Sequence, residues 1–311
     1  MARFNSEQLE EARKIIKDFV SEEDLNSFNA KIPLIHLESE DPMKGINNFH
    51  SNMIDLCHSL FDNISFAPTP RRIFVDDTMK PALFIIWFQK DIPDNVLYCL
   101  GTIDTKKYTV HIISDENVDA YIDVPFDIKK AHSEGKLGHA GYSDYIRVSL
   151  LEKYYGLYFD ATTIFTDEIP SYCMNMPYWS IKGNYQRNTR PVAMLNYHFG
   201  QTYALGGYDN YIYSKVRQLC DHYFAVHDYL FAYYYIYYFF EYLYLTDEKI
   251  KQQMDAVSIN NENCEQLAYY FGDNSIKFEK DDNTFFYKLR ASDDLTEEHK
   301  SFIYQNLLKV K

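Results

Sequence analysis

The first 65 residues carry apolar positions at helical spacing. Leu9, Ala12, Ile15, Ile16 and Val20 follow Asn5 and Gln8, a pair able to close a capping box. Asp41-Pro42 then opens a second long helix, with Pro42 at the first helical position, where a missing N–H costs nothing. Ile46, Phe49, Met53, Ile54, Cys57, Leu60 and Phe61 give that helix one apolar face. The stretch "FAPTPRR", residues 66–72, reads as a linker. The division expected is a helical N-terminal extension over residues 1–75 and a second domain over 76–311.

Beyond Ala82 the period changes. "ALFIIWF" is an unbroken apolar run of strand length, "DIPDNVLYCLGTI" suits a helix entered through Pro93, and "YTVHIIS" suits a second strand. This begins a β-α-β unit, whose parallel strands are buried on both faces. A further helix is predicted from Tyr142 to about Tyr155, with Gly156 as its stop signal and "LYFDATTIF" as the strand that follows. "PVAMLN" and "TFFYKL" (284–289) read as later strands, and residues 207–256 as helical. An α/β fold follows, and open sheets of this kind place their sites at the carboxyl ends of strands.

Composition narrows the class. The chain has 31 basic and 45 acidic residues, a net charge of -14, which argues against binding a nucleic-acid backbone. Five widely spaced cysteines without a CxxC pair favour neither a disulfide framework nor a cysteine zinc site, and suit a reducing cytoplasm. The N-terminus lacks the apolar core of a secretory signal. "YYYIYYFFEYLYL", Tyr233 to Leu245, is apolar enough to suggest a membrane, but Glu241 within it and His227 and Asp228 before it oppose a spanning helix. A helix buried in protein fits better, with a sugar-stacking acceptor groove or contact with a membrane surface as the alternatives.

Asp160 is an ionisable group in an apolar strand, which is costly without a partner. Asp144 and Arg147 stand three apart on one helix and can act together or form a simple surface ion pair. These residues sit in a block, S-D-x-x-R followed by L-x-x-Y-x-G-x-x-x-D, within "YSDYIRVSLLEKYYGLYFDATTIF" at 142–165. With "IIWFQ" at 85–89 and the late "TFFYKL", the block resembles nucleotide-sugar glycosyltransferases of the capsular-polysaccharide-synthesis type. More distantly, it is similar to the sugar-transferase domains of large clostridial toxins and other D-x-D enzymes. The likeness covers about residues 80–290.

The resemblance implies a GT-A-like nucleotide-sugar-binding fold with a mixed, mainly parallel central sheet. It implies transfer from a UDP-sugar to a saccharide or glycolipid-linked acceptor in capsule, exopolysaccharide or glycoconjugate synthesis, with retention at the anomeric carbon. The location implied is the cytoplasm, at the inner face of the membrane. Asp144, Arg147 and Asp160 would be catalytic, with Asp160 holding a divalent cation, Mn2+ or Mg2+. Trp87, Phe88 and Gln89 would line the nucleotide pocket, while Ser143, Thr162, Asn196 and Lys288 would contact the rest of the donor. Two departures stand out: Thr162 replaces the second acid of D-x-D, and Tyr287 occupies the place of a His often found before Lys-Leu. They leave open a catalytically reduced saccharide-binding or complex-organising subunit, and a protein-directed glycosyltransferase is a third reading.

Overall fold

A computed structural model of the chain describes residues 4–28, 42–183, 202–272, 277–290 and 294–308. Asn196 and the "PVAMLN" segment lie outside the described residues. Helix α1 (Ser6–Ile16) opens on the expected capping box: the Asn5 carboxamide oxygen accepts from the Gln8 N–H at 2.8 Å, and the Gln8 side chain accepts from the Asn5 N–H at 2.9 Å. A short α2 (Glu22–Ser27) is capped by Ser21, and α3 (Pro42–Phe61) starts at the expected proline. Phe49, Met53, Cys57 and Phe61 are buried and join the same apolar core as the rest of the chain. Arg72, at the end of the linker-like stretch, is buried too, its guanidinium donating to the Leu151 and Gly207 carbonyls.

The framework is a five-stranded sheet. Strand β1 (Ala82–Ile86) leads through α4 (Asp94–Leu100) to β2 (Thr109–Ile113), which pairs with it in parallel. Two short helices, α5 (Val118–Tyr121) and α6 (Phe126–Ser133), precede α7 (His139–Lys153), after which β3 (Gly156–Phe159) joins β1 in parallel on its other edge. The sheet order is β2-β1-β3-β6-β5; β5 (Trp179–Ser180) and β6 (Ala204–Gly206) are added antiparallel after α8 (Tyr172–Asn175). The sheet is therefore mixed and parallel at its centre.

Two local expectations change. Helix α7 begins three residues before Tyr142, and Gly156 is the first residue of β3 rather than a helix stop. A Cβ at Gly156 would lie 2.5 Å from the Ala82 carbonyl oxygen, so the glycine permits the close approach of β3 to β1. The single strand expected through "LYFDATTIF" is divided. The sheet ends at Phe159, the chain turns at Asp160–Thr162, and β4 (Thr163–Phe165) leaves to pair antiparallel with β7 (Phe286–Lys288) in a separate two-stranded ribbon. A continuous apolar run cannot distinguish one long strand from two short ones in different sheets.

Between them, α9 (Tyr211–Phe224), α10 (Tyr235–Thr246) and α11 (Glu248–Asp255) cover the core. The Tyr-rich α10 is buried from Tyr235 to Tyr244, with Phe239 edge-on to Phe61 of α3 at 4.9 Å. It fills the interior, and among the described residues no helix is long and apolar enough to cross a membrane. Helices α12 (Gln266–Gly272) and α13 (Glu297–Asn306) contribute Leu267 and Ile303 to a smaller core with Ile164 and Tyr287 of the ribbon.

Candidate active site

Strands β1 and β3 run side by side, and extending their register sets Ile86 level with Asp160. Both strands end there, at the carboxyl ends of a parallel pair, where sites in open α/β sheets lie. Helix α7 crosses this edge and presents His139, Ser143 and Arg147, each four residues from the last and therefore on one face. The ribbon brings in Lys288, paired in register with Thr163. These groups enclose a cavity of about 220 Å³ together with Trp87, Phe88, Gln89, Tyr158, Asp160 and Thr162.

Among the described residues, the cavity thus collects every expected site residue except Asp144. Asp144 stands behind Arg147, its Oδ1 3.3 Å from Nη2, and both side chains are buried, so the pair is not a surface ion pair. Arg147 is held on every side: Nη1 donates to the Thr202 carbonyl at 2.8 Å, Nε to the Ser143 carbonyl at 3.2 Å and Nη2 to Ser143 Oγ at 2.5 Å. Its guanidinium also lies 4.6 Å from the centre of the Tyr158 ring. Such a cation is preorganised, which matters because its interactions need no rearrangement when a charged ligand arrives.

Asp160 receives the Tyr158 hydroxyl on Oδ1 at 2.6 Å and has Lys288 Nζ 3.4 Å from Oδ2, with Arg147 4.0 Å from Oδ1. Burial pushes its carboxyl up, but Lys288, Arg147 and the Tyr158 hydroxyl outweigh that and hold it below the ordinary range, hence ionised. Asp144 behaves oppositely: burial pushes it up to about 7, Arg147 pulls it down and Asp160 adds to the rise. Burial opposes the charge on Arg147 and is overcome by Tyr158, Asp144 and Asp160, so the guanidinium stays protonated. Two carboxyls and two cations interlock here, with both cations reaching the cavity.

This donor set fits a divalent metal poorly. Among the described residues, Asp160 is the one carboxylate lining the cavity, and its two oxygens already face Tyr158 and Lys288. Thr162 Oγ1 donates to the Leu289 carbonyl at 2.8 Å and accepts from Lys288 at 2.5 Å. A hard cation asks for a shell of oxygen ligands, whereas here it would meet two fixed positive charges. Tyr287 offers nothing in exchange, because strand alternation turns it away from Lys288 into the smaller core, where it is fully buried.

Trp87 lines the cavity directly after β1, its indole N–H donating to the Asp91 carbonyl at 3.1 Å. Phe88 packs on Tyr142 at 5.1 Å and stacks with His139 at 5.7 Å. His139 and Tyr158 were not foreseen. Both were accessible in principle: His139 is one helical turn before Ser143, and Tyr158 is two residues before Asp160 on the same strand face. His227 and Asp228 do not line the cavity; Asp228 instead pairs with Lys136 at 2.6 Å.

The architecture is that of an α/β protein with an anion-receptive cavity at a strand-end crevice. A family model described as capsular polysaccharide synthesis protein matches residues 64–307, taking in the sheet, α7 and the ribbon. The chain belongs to the capsular polysaccharide synthesis protein family, which assigns it to capsule biosynthesis and is consistent with a transferase. Neither the curated proteins nor the solved structures gave a significant match.

Proposed function

We propose that the protein is a glycosyltransferase of capsule synthesis that draws its sugar from a nucleotide-diphosphate donor, a UDP-sugar, bound at this cavity in a GT-A-like manner. The observation that carries the reading is the convergence of the buried Arg147 with Lys288 beside Asp160, at the carboxyl ends of β1 and β3. In this reading the diphosphate lies against the two cations, the base lies over the Trp87–Gln89 segment at the rim, and Asp160 orients sugar hydroxyls. Asp144 is a positioning residue that supports Arg147 from behind.

The bond that breaks joins the anomeric carbon to the β-phosphate oxygen, and negative charge grows on the departing diphosphate. Arg147, buried, and Lys288, half-buried, meet that charge as donors already fixed in place, which is where such donors are most effective. The acceptor, a saccharide or glycolipid-linked glycan, attacks through a hydroxyl whose proton passes to the leaving phosphate; attack on the same face gives retention. No step in this scheme is routed through Mn2+ or Mg2+. The reaction would take place at the cytoplasmic face of the membrane.

The test is UDP release from a panel of UDP-sugars, with and without glycan acceptors. At least one donor should be turned over, and adding Mn2+ or Mg2+ should change the rate less than about threefold, unlike a metal-assisted transfer. If no nucleotide-sugar is hydrolysed or transferred and no nucleoside diphosphate binds in calorimetry, the transferase reading fails.

A further inference from the structure

We infer that Asp115, His132 and His139 form a binding site for a divalent cation of the zinc type, beside the cavity and distinct from Asp160. Their ligand atoms all lie within 4.8 Å of one another. They arrive from three places: Asp115 from the turn after β2, His132 from the last turn of α6, and His139 from the first residue of α7. Convergence of two imidazoles and a carboxylate from separate elements is a ligand set suited to zinc and its neighbours, not to the all-oxygen preference of Mg2+ or Ca2+.

The orientation of His132 strengthens the case. Its Nδ1 is 2.9 Å from the Leu137 carbonyl, which can only accept, so the neutral ring carries its proton there and turns the Nε2 lone pair outward. That backbone contact is the outer support that metal-binding histidines commonly use to fix their tautomer. Nε2 is 3.4 Å from Asp115 Oδ1. Two ligands of a tetrahedral zinc, each about 2.0–2.1 Å from the metal, are separated by about 3.3 Å. The ring plane is also fixed: His132 stacks on Tyr142 at 3.9 Å with 14° between planes, while His139 stacks on Phe88 at 26°.

A plain His132–Asp115 ion pair accounts for one contact, and ring packing on Phe88 and edge-on against His132 at 5.3 Å holds His139 nearby; what neither requires is that the three ligand atoms converge on one point. Three protein ligands leave a fourth position for water or a ligand atom. With the cation bound, the turn after β2 and α6 would be fastened to the start of α7, whose His139 forms part of the cavity wall together with Phe88. This inference does not rest on the donor reading, since metal binding is measured with no nucleotide present.

The experiment titrates chelator-treated full-length protein with Zn2+ in calorimetry, and with Co2+ followed by visible absorption. One equivalent of Zn2+ should bind and raise the melting temperature. His132→Gln and His139→Gln should each weaken binding at least about 100-fold, beyond the loss usual for outer-shell changes. Asp160→Asn should retain it. The metal-free variants should melt close to metal-free wild type, which separates lost ligation from lost folding. Absence of stoichiometric Zn2+ binding, wild-type affinity in either histidine variant, or loss confined to Asp160→Asn would overturn the assignment.

Discussion

Two cavities lie at opposite ends of the β4–β7 ribbon, and their linings have contrary chemistry. The one at the Lys288 end has a volume of about 220 Å³ and presents Arg147 and Lys288. The other, about 630 Å³, gathers Asp167, Glu168, Glu262, Asp281 and Asp282 around Tyr172, Trp179 and Phe285. Size alone would nominate the larger as the site. Charge decides otherwise, because a diphosphate would be repelled by its acids, whereas the smaller cavity offers two cations already held in place. In a chain of net charge -14, locally arranged positive groups say more about an anionic ligand than volume does.

The sharpest way to break this contrast is Arg147→Ala. Loss of a preorganised donor to the leaving group should lower UDP-sugar turnover by about 10²–10³-fold. It also leaves Asp144 and Asp160 near each other without their shared cation, and removal of one partner from a buried ionic cluster costs about 3–5 kcal/mol. Urea unfolding should show that loss beside the kinetic one. Turnover per folded molecule equal to wild type would reduce Arg147 to a structural ion-pair partner. Lys288→Met should be milder, weakening UDP binding by about 10-fold, as expected for one hydrogen bond between charged groups.

A third effect is read in pH. The Asp144 carboxyl is raised from 3.8 to about 7 chiefly by burial. A raised carboxyl binds its proton more tightly when folded, so its contribution to stability is full below the unfolded value and is lost as pH rises through the folded one. Asn does not titrate. The melting temperature of Asp144→Asn relative to wild type should therefore rise between about pH 4 and pH 7 and level off above that. A difference that is flat with pH, measured by calorimetry in matched buffers, would show that Asp144 has an ordinary carboxyl.

Much of the smaller cavity was legible in the chain because its residues come from short contiguous blocks. Trp87–Gln89 and Asp160 follow apolar runs that become β1 and β3, and Ser143 and Arg147 share a helix face. Lys288 was marked by its motif, but its bond to Thr162, 126 residues away, depends on the β4–β7 pairing, which no local period encodes. The break after Phe159 was hidden for the same reason. Gly156 was singled out with the wrong cause: a turn-forming residue and a residue that permits close strand contact look alike until the neighbouring strand is known. The cation site escaped because cysteine spacing says nothing about two histidines and an aspartate meeting through the fold.

The acid-lined cavity gives the smallest expected effect and a discriminating one. Asp282 is exposed there, so Asp282→Lys reverses a charge with little structural disturbance. Three residue steps along the chain, from Phe285 at the edge of one cavity to Lys288 at the other, separate the two by about 10 Å. That exceeds the screening length of about 8 Å at physiological salt, and two charges so far apart in water interact by only a few tenths of a kcal/mol. UDP affinity should accordingly tighten less than about twofold in Asp282→Lys, even though the net charge changes by two units. An effect comparable with that of Lys288→Met would place the nucleotide at the acidic end, and the division of labour along the ribbon would have to be reversed.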